Sequence, residues 1–201
     1  MKPIPCLIKT VAVGMFAAFF ATSASATLTD YVAILDGPSE SPPNASPGTG
    51  FATFEFDSVA NTLLINFSFS GLVGTTTASH IHGGTAVPGT GTAGVATTTP
   101  TFAGFPLGVT SGTYNNTLDL TQASSYNPAF VTANGGTTAS AEAALIGFMN
   151  SDRAYLNIHT TAFPGGEIRG FITVVPEPSS IALMSVCGGA FAFMLRRRKS
   201  V

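Results

Sequence analysis

The chain has 201 residues with 8 Lys+Arg, 10 Asp+Glu and 2 Cys, totals that combine three regions of different character. Between Thr27 and Val175 lie 149 residues whose only cations are Arg153 and Arg169 against nine carboxylates, a net charge of −7 with no lysine. That balance repels phosphate backbones and anionic lipid, which excludes nucleic-acid binding and polybasic membrane attachment, and the length is that of one domain with its own core.

The chain opens with Lys2 and Lys9 ahead of an apolar run, Val11 to Ala21, and the small residues Ala24, Ser25 and Ala26. This is the order of a secretory signal peptide over 1–26, with cleavage after Ala26; the run is too short to span a bilayer. From Thr27 to Val175 period-2 alternation dominates. Ala52, Phe54 and Phe56 alternate with Thr53, Glu55 and Asp57, and Leu63, Ile65, Phe67 and Phe69 with Leu64, Asn66, Ser68 and Ser70. The two runs predict a hairpin turning across Ser58 to Thr62. Further strands are expected at Tyr31–Leu35, Ala78–His82, Tyr155–His159 and Ile168–Val174. Short strands with one apolar face each predict an all-β, antiparallel β-sandwich.

Between the fourth and the last strands the pattern weakens. The Thr-, Gly- and Ala-rich stretch Gly83 to Gly112 predicts extended loops with one or two weak strands. Two helical pieces follow: a turn capped by Thr121 through Ser125, and an Ala-rich helix capped by Thr138 or Ser140 and running to about Asn150, with Ala144, Leu145 and Phe148 on one face. After Val175 come Pro176, Glu177 and Pro178, an apolar stretch Ile181–Leu195, and the basic cluster Arg196 to Lys199. This is a short hydrophobic anchor with a cytoplasmic positive stop, marginal as a membrane segment by hydropathy alone. Cys6 falls in the first region and Cys187 in the last, so the expected mature domain has no cysteine.

All three histidines fall in two motifs, Ser79-His80-Ile81-His82-Gly83-Gly84 and Tyr155-Leu156-Asn157-Ile158-His159-Thr160. His80 and His82 on a strand point to one side, the spacing by which one strand offers two imidazoles to a metal, and His159 is the candidate third ligand. The segments after His82 and His159 are alike, each running on to a Pro-Gly, which suggests related positions. The expectation is that their strands are neighbours and that the two rings lie within about 8 Å. Two readings of the histidines stand side by side: a buried hydrogen-bonding network that fixes strand register, or a site for one zinc or copper ion. Glu167, Arg169 and Gly170 read as a structural motif, a pair or ladder on one strand.

Catalysis has little support. No G-x-S-x-G nucleophile motif, no mature cysteine and no phosphate-binding glycine loop is present, and three imidazoles are too few for a two-metal copper–zinc centre. A mononuclear metal enzyme on His80, His82 and His159, with Glu167 as base, is the enzymatic alternative.

Two resemblances extend this reading. Pro176, Glu177 and Pro178 followed by a short membrane helix and a basic cluster resemble the PEP-CTERM sorting tail of Gram-negative bacteria, over 176–201. This implies processing by an exosortase in the inner membrane after passage through the secretion machinery, in an organism that makes exopolysaccharide. The destination it implies is the cell surface or extracellular matrix, where exopolysaccharide or surface proteins are the expected partners. Leu35-Asp36-Gly37, Gly50-Phe51-Ala52, Phe69-Ser70-Gly71-Leu72, the two histidine motifs and Gly166-Glu167-Ile168-Arg169-Gly170 resemble, in that order over Tyr31 to Thr173, the CHRD domain first described in chordin. This resemblance implies a β-sandwich with Greek-key character and an extracytoplasmic role. The long Gly83 to Asn150 region and Gly147 to Asp152 depart from the family pattern. The expected protein is an exported CHRD domain, 27–175, acting as a non-enzymatic binding or structural module, with metal binding as the alternative function.

Overall fold

The computed structural model describes residues 28–176. The signal peptide expected at 1–26 and the tail from Glu177 and Pro178 onward lie outside the described residues, as do Cys6 and Cys187. Among the described residues no helix is long and apolar enough to cross a membrane.

Eight strands form the frame: β1 (Leu28–Asp36), β2 (Thr49–Asp57), β3 (Thr62–Ser70), β4 (Thr76–Gly83), β5 (Gly112–Asp119), β6 (Ala154–Thr160), β7 (Ile168–Phe171) and β8 (Thr173–Val174). All pairings are antiparallel, in the order β4-β6-β7-β1-β2-β3-β5, with β8 beside β1. The path curls into a β-sandwich. One layer is β5-β3-β2-β1 and the other β7-β6-β4, and the turn between them falls where β1 meets β7 at a single register pair, Asp36 with Arg169. The connection from β3, next to the β5 end of the path, crosses to β4 at the other end, which gives the expected Greek-key character. At the corner Gly170 lies against the β1 backbone so closely that a Cβ there would stand 2.2 Å from the Ile34 carbonyl oxygen.

The alternation seen in the sequence sorts the core. Ala33, Leu35, Ala52, Phe54, Phe56, Leu63, Ile65, Phe67 and Phe69 face inward from the first layer, and Ile81, Leu156, Ile158 and Ile168 from the second. The β2–β3 hairpin turns through Ser58–Asn61, with Asn61 at φ 53°. Strand β5 was not expected. It has only Tyr114 and Leu118 as buried apolar residues, with Asn116 between them donating to the Tyr114 hydroxyl at 3.1 Å, so its apolar pattern is broken.

Two short helices close one end, α1 (Pro128–Ala133) and α2 (Thr138–Met149). The cap of α2 is Thr137, one residue before the expected position, because Thr137 and Ser140 form a reciprocal capping box. Its buried face is Ala141, Leu145 and Met149 rather than Ala144, Leu145 and Phe148. Phe148 is turned to the helix edge, where it packs against Gly83 and Gly84 and under the Arg153 guanidinium, 5.2 Å from its ring centroid. Thr121 caps nothing: its hydroxyl donates to Asp119 at 2.6 Å, and the 3-10 turn is Ala123–Ser125, with Gln122 at its start. The open edge of β4 is covered by the following loop, since Ala96 donates to the Ile81 carbonyl and Phe102 to that of Ser79.

A single carboxylate ties the sandwich ends. Glu167 has no exposed surface, and it accepts hydrogen bonds from the Ser46 hydroxyl (2.6 Å), the Thr160 hydroxyl (2.6 Å) and the backbone N–H groups of Val73 (2.5 Å) and Gly74 (3.1 Å). Burial alone would raise its pKa, but these four donors hold it below the ordinary glutamate value of 4.5. A depressed carboxylate contributes stability that is fully present above the unfolded-state value and is lost as pH falls through the folded-state value. Glu167→Ala is expected to cost at least about 3 kcal/mol in urea unfolding, since it strands buried donors. The wild type should also lose stability below pH 4.5 more steeply than the variant does; parallel acid profiles would show that Glu167 is not the anchor.

Candidate metal centre

Strand β6 explains where the histidines go. Ala154, Leu156 and Ile158 take its core face, so Tyr155, Asn157 and His159 take the other. Register pairing sets His82 against Tyr155, His80 against Asn157 and Ala78 against His159, and on the far side Arg169 against Asn157 and Phe171 against Tyr155. The outer face of β4-β6-β7 thus carries three histidines, an asparagine, a tyrosine and an arginine. An outer face of an antiparallel sheet is ordinarily solvated. Here loops from 37–47, 84–111 and 161–167 lie over it; His80 and His82 are only 7% and 8% exposed, and His159 is half-buried.

The three rings come together as expected. Ring centroids are 5.3 Å apart for His80 and His159, 5.8 Å for His82 and His159, and 5.9 Å for His80 and His82. Each ring has one nitrogen on a backbone carbonyl: His80 Nε2 on Pro100, His82 Nδ1 on Ala93 at 2.9 Å, and His159 Nδ1 on Pro164 at 2.9 Å. A carbonyl only accepts, so those nitrogens carry the protons. The remaining atoms, His80 Nδ1, His82 Nε2 and His159 Nε2, are buried and have no hydrogen-bond partner. One donor atom from each histidine lies within 4.8 Å of the others. Three imidazoles in a plane around an ion at 2.0–2.1 Å stand roughly 3.6 Å apart, so the rings need to close by about 1 Å. Proton-bearing nitrogens fixed on carbonyls, with the other nitrogen of each ring unpartnered, are the outer-shell arrangement of histidine metal ligands.

Electrostatics agree with neutral rings. Burial lowers the pKa of His80 and His159 below 6.5, and that of His82 to about 4, where the neighbouring His159, His80 and Arg169 add to the effect of burial. Tyr155 stacks on His82 with ring centroids 4.8 Å apart and planes within 5°, and the Arg169 guanidinium lies 4.7 Å from the Tyr155 centroid.

Glu167 and Arg169 do not pair with each other. Arg169 donates to the carbonyls of Ser39 and Gly91 and sits 3.8 Å from Glu40, clamping two covering loops to the site. Arg153 does similar work at Thr85, donating from Nε to its carbonyl. Glu167 serves the loops on the other flank and is engaged by four donors, which removes it as a free base. Gly170 makes the corner, so the motif expected to be structural has three separate duties.

Sequence reasoning missed Glu40 and Asn157, whose Oε1 and Oδ1 are buried without partners. Both crowd Gly166, at φ 130°, where a Cβ would stand 2.6 Å from each side chain. Asn157 was legible, two residues from His159 on the same face. Glu40 comes from a loop far away in the chain and left no local signal. Burial raises the Glu40 carboxyl to about 7, against the lowering effect of Arg169.

With the fold and this face described, the comparison with known families is decisive on class. Residues 31–172 match the CHRD domain, and the chain belongs to that family. Residues 174–199 match the PEP-CTERM protein-sorting motif, which marks the protein for export and for membrane-associated sorting by an exosortase. No curated protein and no solved structure matches the chain.

His82, lowered to about 4, contributes stability that is present above 6.5 and is lost as pH falls toward 4, and His80 and His159 are lowered in the same direction. Glu40, raised from 4.5 to about 7, contributes stability that is present below 4.5 and is lost as pH rises through 7. The two trends offset each other between pH 4.5 and 6.5 in the metal-free protein. In Glu40→Gln the histidine trend stands alone, so unfolding free energy should rise with pH over that interval more steeply than in wild type. Equal slopes would mean that Glu40 ionises as an ordinary glutamate in the fold.

Proposed function

We propose that this exported CHRD domain is a metal-binding module that carries one transition-metal ion on His80, His82 and His159 at the cell surface or in the extracellular matrix. Two observations support this reading: a ligand atom from each of the three histidines lies within 4.8 Å of the others, and each ring has one buried nitrogen without a hydrogen-bond partner. A purely structural histidine network accounts for only one nitrogen of each ring. It leaves three lone pairs buried without donors, and a buried polar atom left unpaired costs about 1–3 kcal/mol. Three imidazoles suit zinc or copper, and an ion bound by them recovers that cost.

Holding the ion, rather than turning over a substrate, is the role the geometry supports. A catalytic metal keeps a position open to substrate, whereas the three unpartnered nitrogens here are buried. Glu167, the base of the enzymatic alternative, is fully engaged elsewhere.

The test is elemental analysis of the full chain, purified without a polyhistidine tag and equilibrated with zinc and with copper. One equivalent is expected, with loss of that equivalent in His82→Gln and in His159→Gln. Absence of metal from a folded wild-type protein after loading would overturn the proposal and return the histidines to a scaffolding role.

A further inference from the structure

The composition of the shell distinguishes between metals, an inference that rests on reading the three histidines as a metal site. The donor set is three neutral imidazoles, and no carboxylate or thiolate of the described residues joins it. The acidic group beside the site, Glu40, stands outside the set and faces the Arg169 guanidinium at 3.8 Å. The nearest fixed positive charge acts through a stack, Arg169 over Tyr155 and Tyr155 on His82.

A dication meets two obstacles in such a shell. Zn(II) takes four ligands, so it has to bring a water or an anion beside nitrogen atoms that are themselves buried. The solvation cost of a buried ion rises with the square of its charge, so a dication costs four times what a monocation does. Here no anionic ligand offsets that cost, and a guanidinium lies close by. Cu(I) avoids both obstacles. It is a monocation, its lower charge is met by fewer ligands, and three nitrogens in a plane satisfy it.

The closed loops act in the same direction. Oxidation to Cu(II) favours a tetragonal set of four or more ligands. Ala93, Pro100 and Pro164 tie the far side of each ring through their carbonyls, and among the described residues the cluster offers three imidazoles and no fourth ligand for such a set. We propose that His80, His82 and His159 hold copper as three-coordinate Cu(I), in preference to Zn(II) and Cu(II).

The experiment is an anaerobic titration of the full, untagged chain with Cu(I) against the chromophoric chelator bicinchoninate, with excess Zn(II) as competitor, followed by exposure to air and electron paramagnetic resonance. The expected result is transfer of one equivalent of Cu(I) from the chelator, no displacement by zinc, and copper that stays silent in the resonance spectrum in air. Preferential uptake of Zn(II), or a Cu(II) signal developing in air, overturns this inference and leaves the metal-site reading intact. Failure to bind any of the three ions overturns both.

Discussion

The fold turns on the burial of a sheet on both faces. In most antiparallel sandwiches the outer face of each layer is left to water. In this protein the outer face of β4-β6-β7 is largely covered, so the buried polar groups on it need partners inside the protein. The long region between β4 and β6, the main departure from the family pattern, supplies much of that cover. It contributes the carbonyls of Ala93 and Pro100 to His82 and His80, and it protects the β4 edge. Both cations of the described residues serve this arrangement, Arg153 through Thr85 and Arg169 through Gly91 and Ser39. In a chain so poor in positive charge, that use of two arginines shows how much the covered face demands.

Cover on this face leaves a distinctive residue of unsatisfied chemistry. Among the described residues, the buried side-chain atoms without a partner are His80 Nδ1, His82 Nε2, His159 Nε2, Asn157 Oδ1 and Glu40 Oε1, and all belong to this face or to the loop over it. Elsewhere polar burial is complete, as at Glu167 with its four donors. The contrast is with Glu167 on the other flank, a buried carboxylate fully satisfied by its four donors. Export fits the same view, since the cysteine-free described domain offers an ion imidazole nitrogen and carboxylate oxygen but no thiolate.

Much of this was legible in the sequence. Strict alternation from Ala52 to Ser70 fixed the central hairpin and its inward side. The two histidine motifs, read at strand spacing, anticipated that β4 and β6 are neighbours and that His82 meets His159. What escaped did so for physical reasons. Strand β5 breaks its apolar alternation with Asn116, which is satisfied by Tyr114 across one turn of the pleat. Helix α1, announced by Asn127 and Pro128, is too short to develop a period. The buried side of α2 was displaced because Phe148 was drawn to the glycines after β4, a tertiary contact with no local signature. Glu40 and the carbonyl acceptors were invisible, because loops carry no pattern that says what they will cover.

The account stands on the protonation of three rings, and nitrogen-15 NMR of the histidine side chains in the metal-free protein at neutral pH reads that directly. The expected result is three neutral imidazoles, with the proton on Nε2 in His80 and on Nδ1 in His82 and His159, each held by its backbone carbonyl. A ring carrying both protons, or one with its proton on the nitrogen assigned to the common centre, would contradict it, because a protonated nitrogen has no lone pair to give a metal.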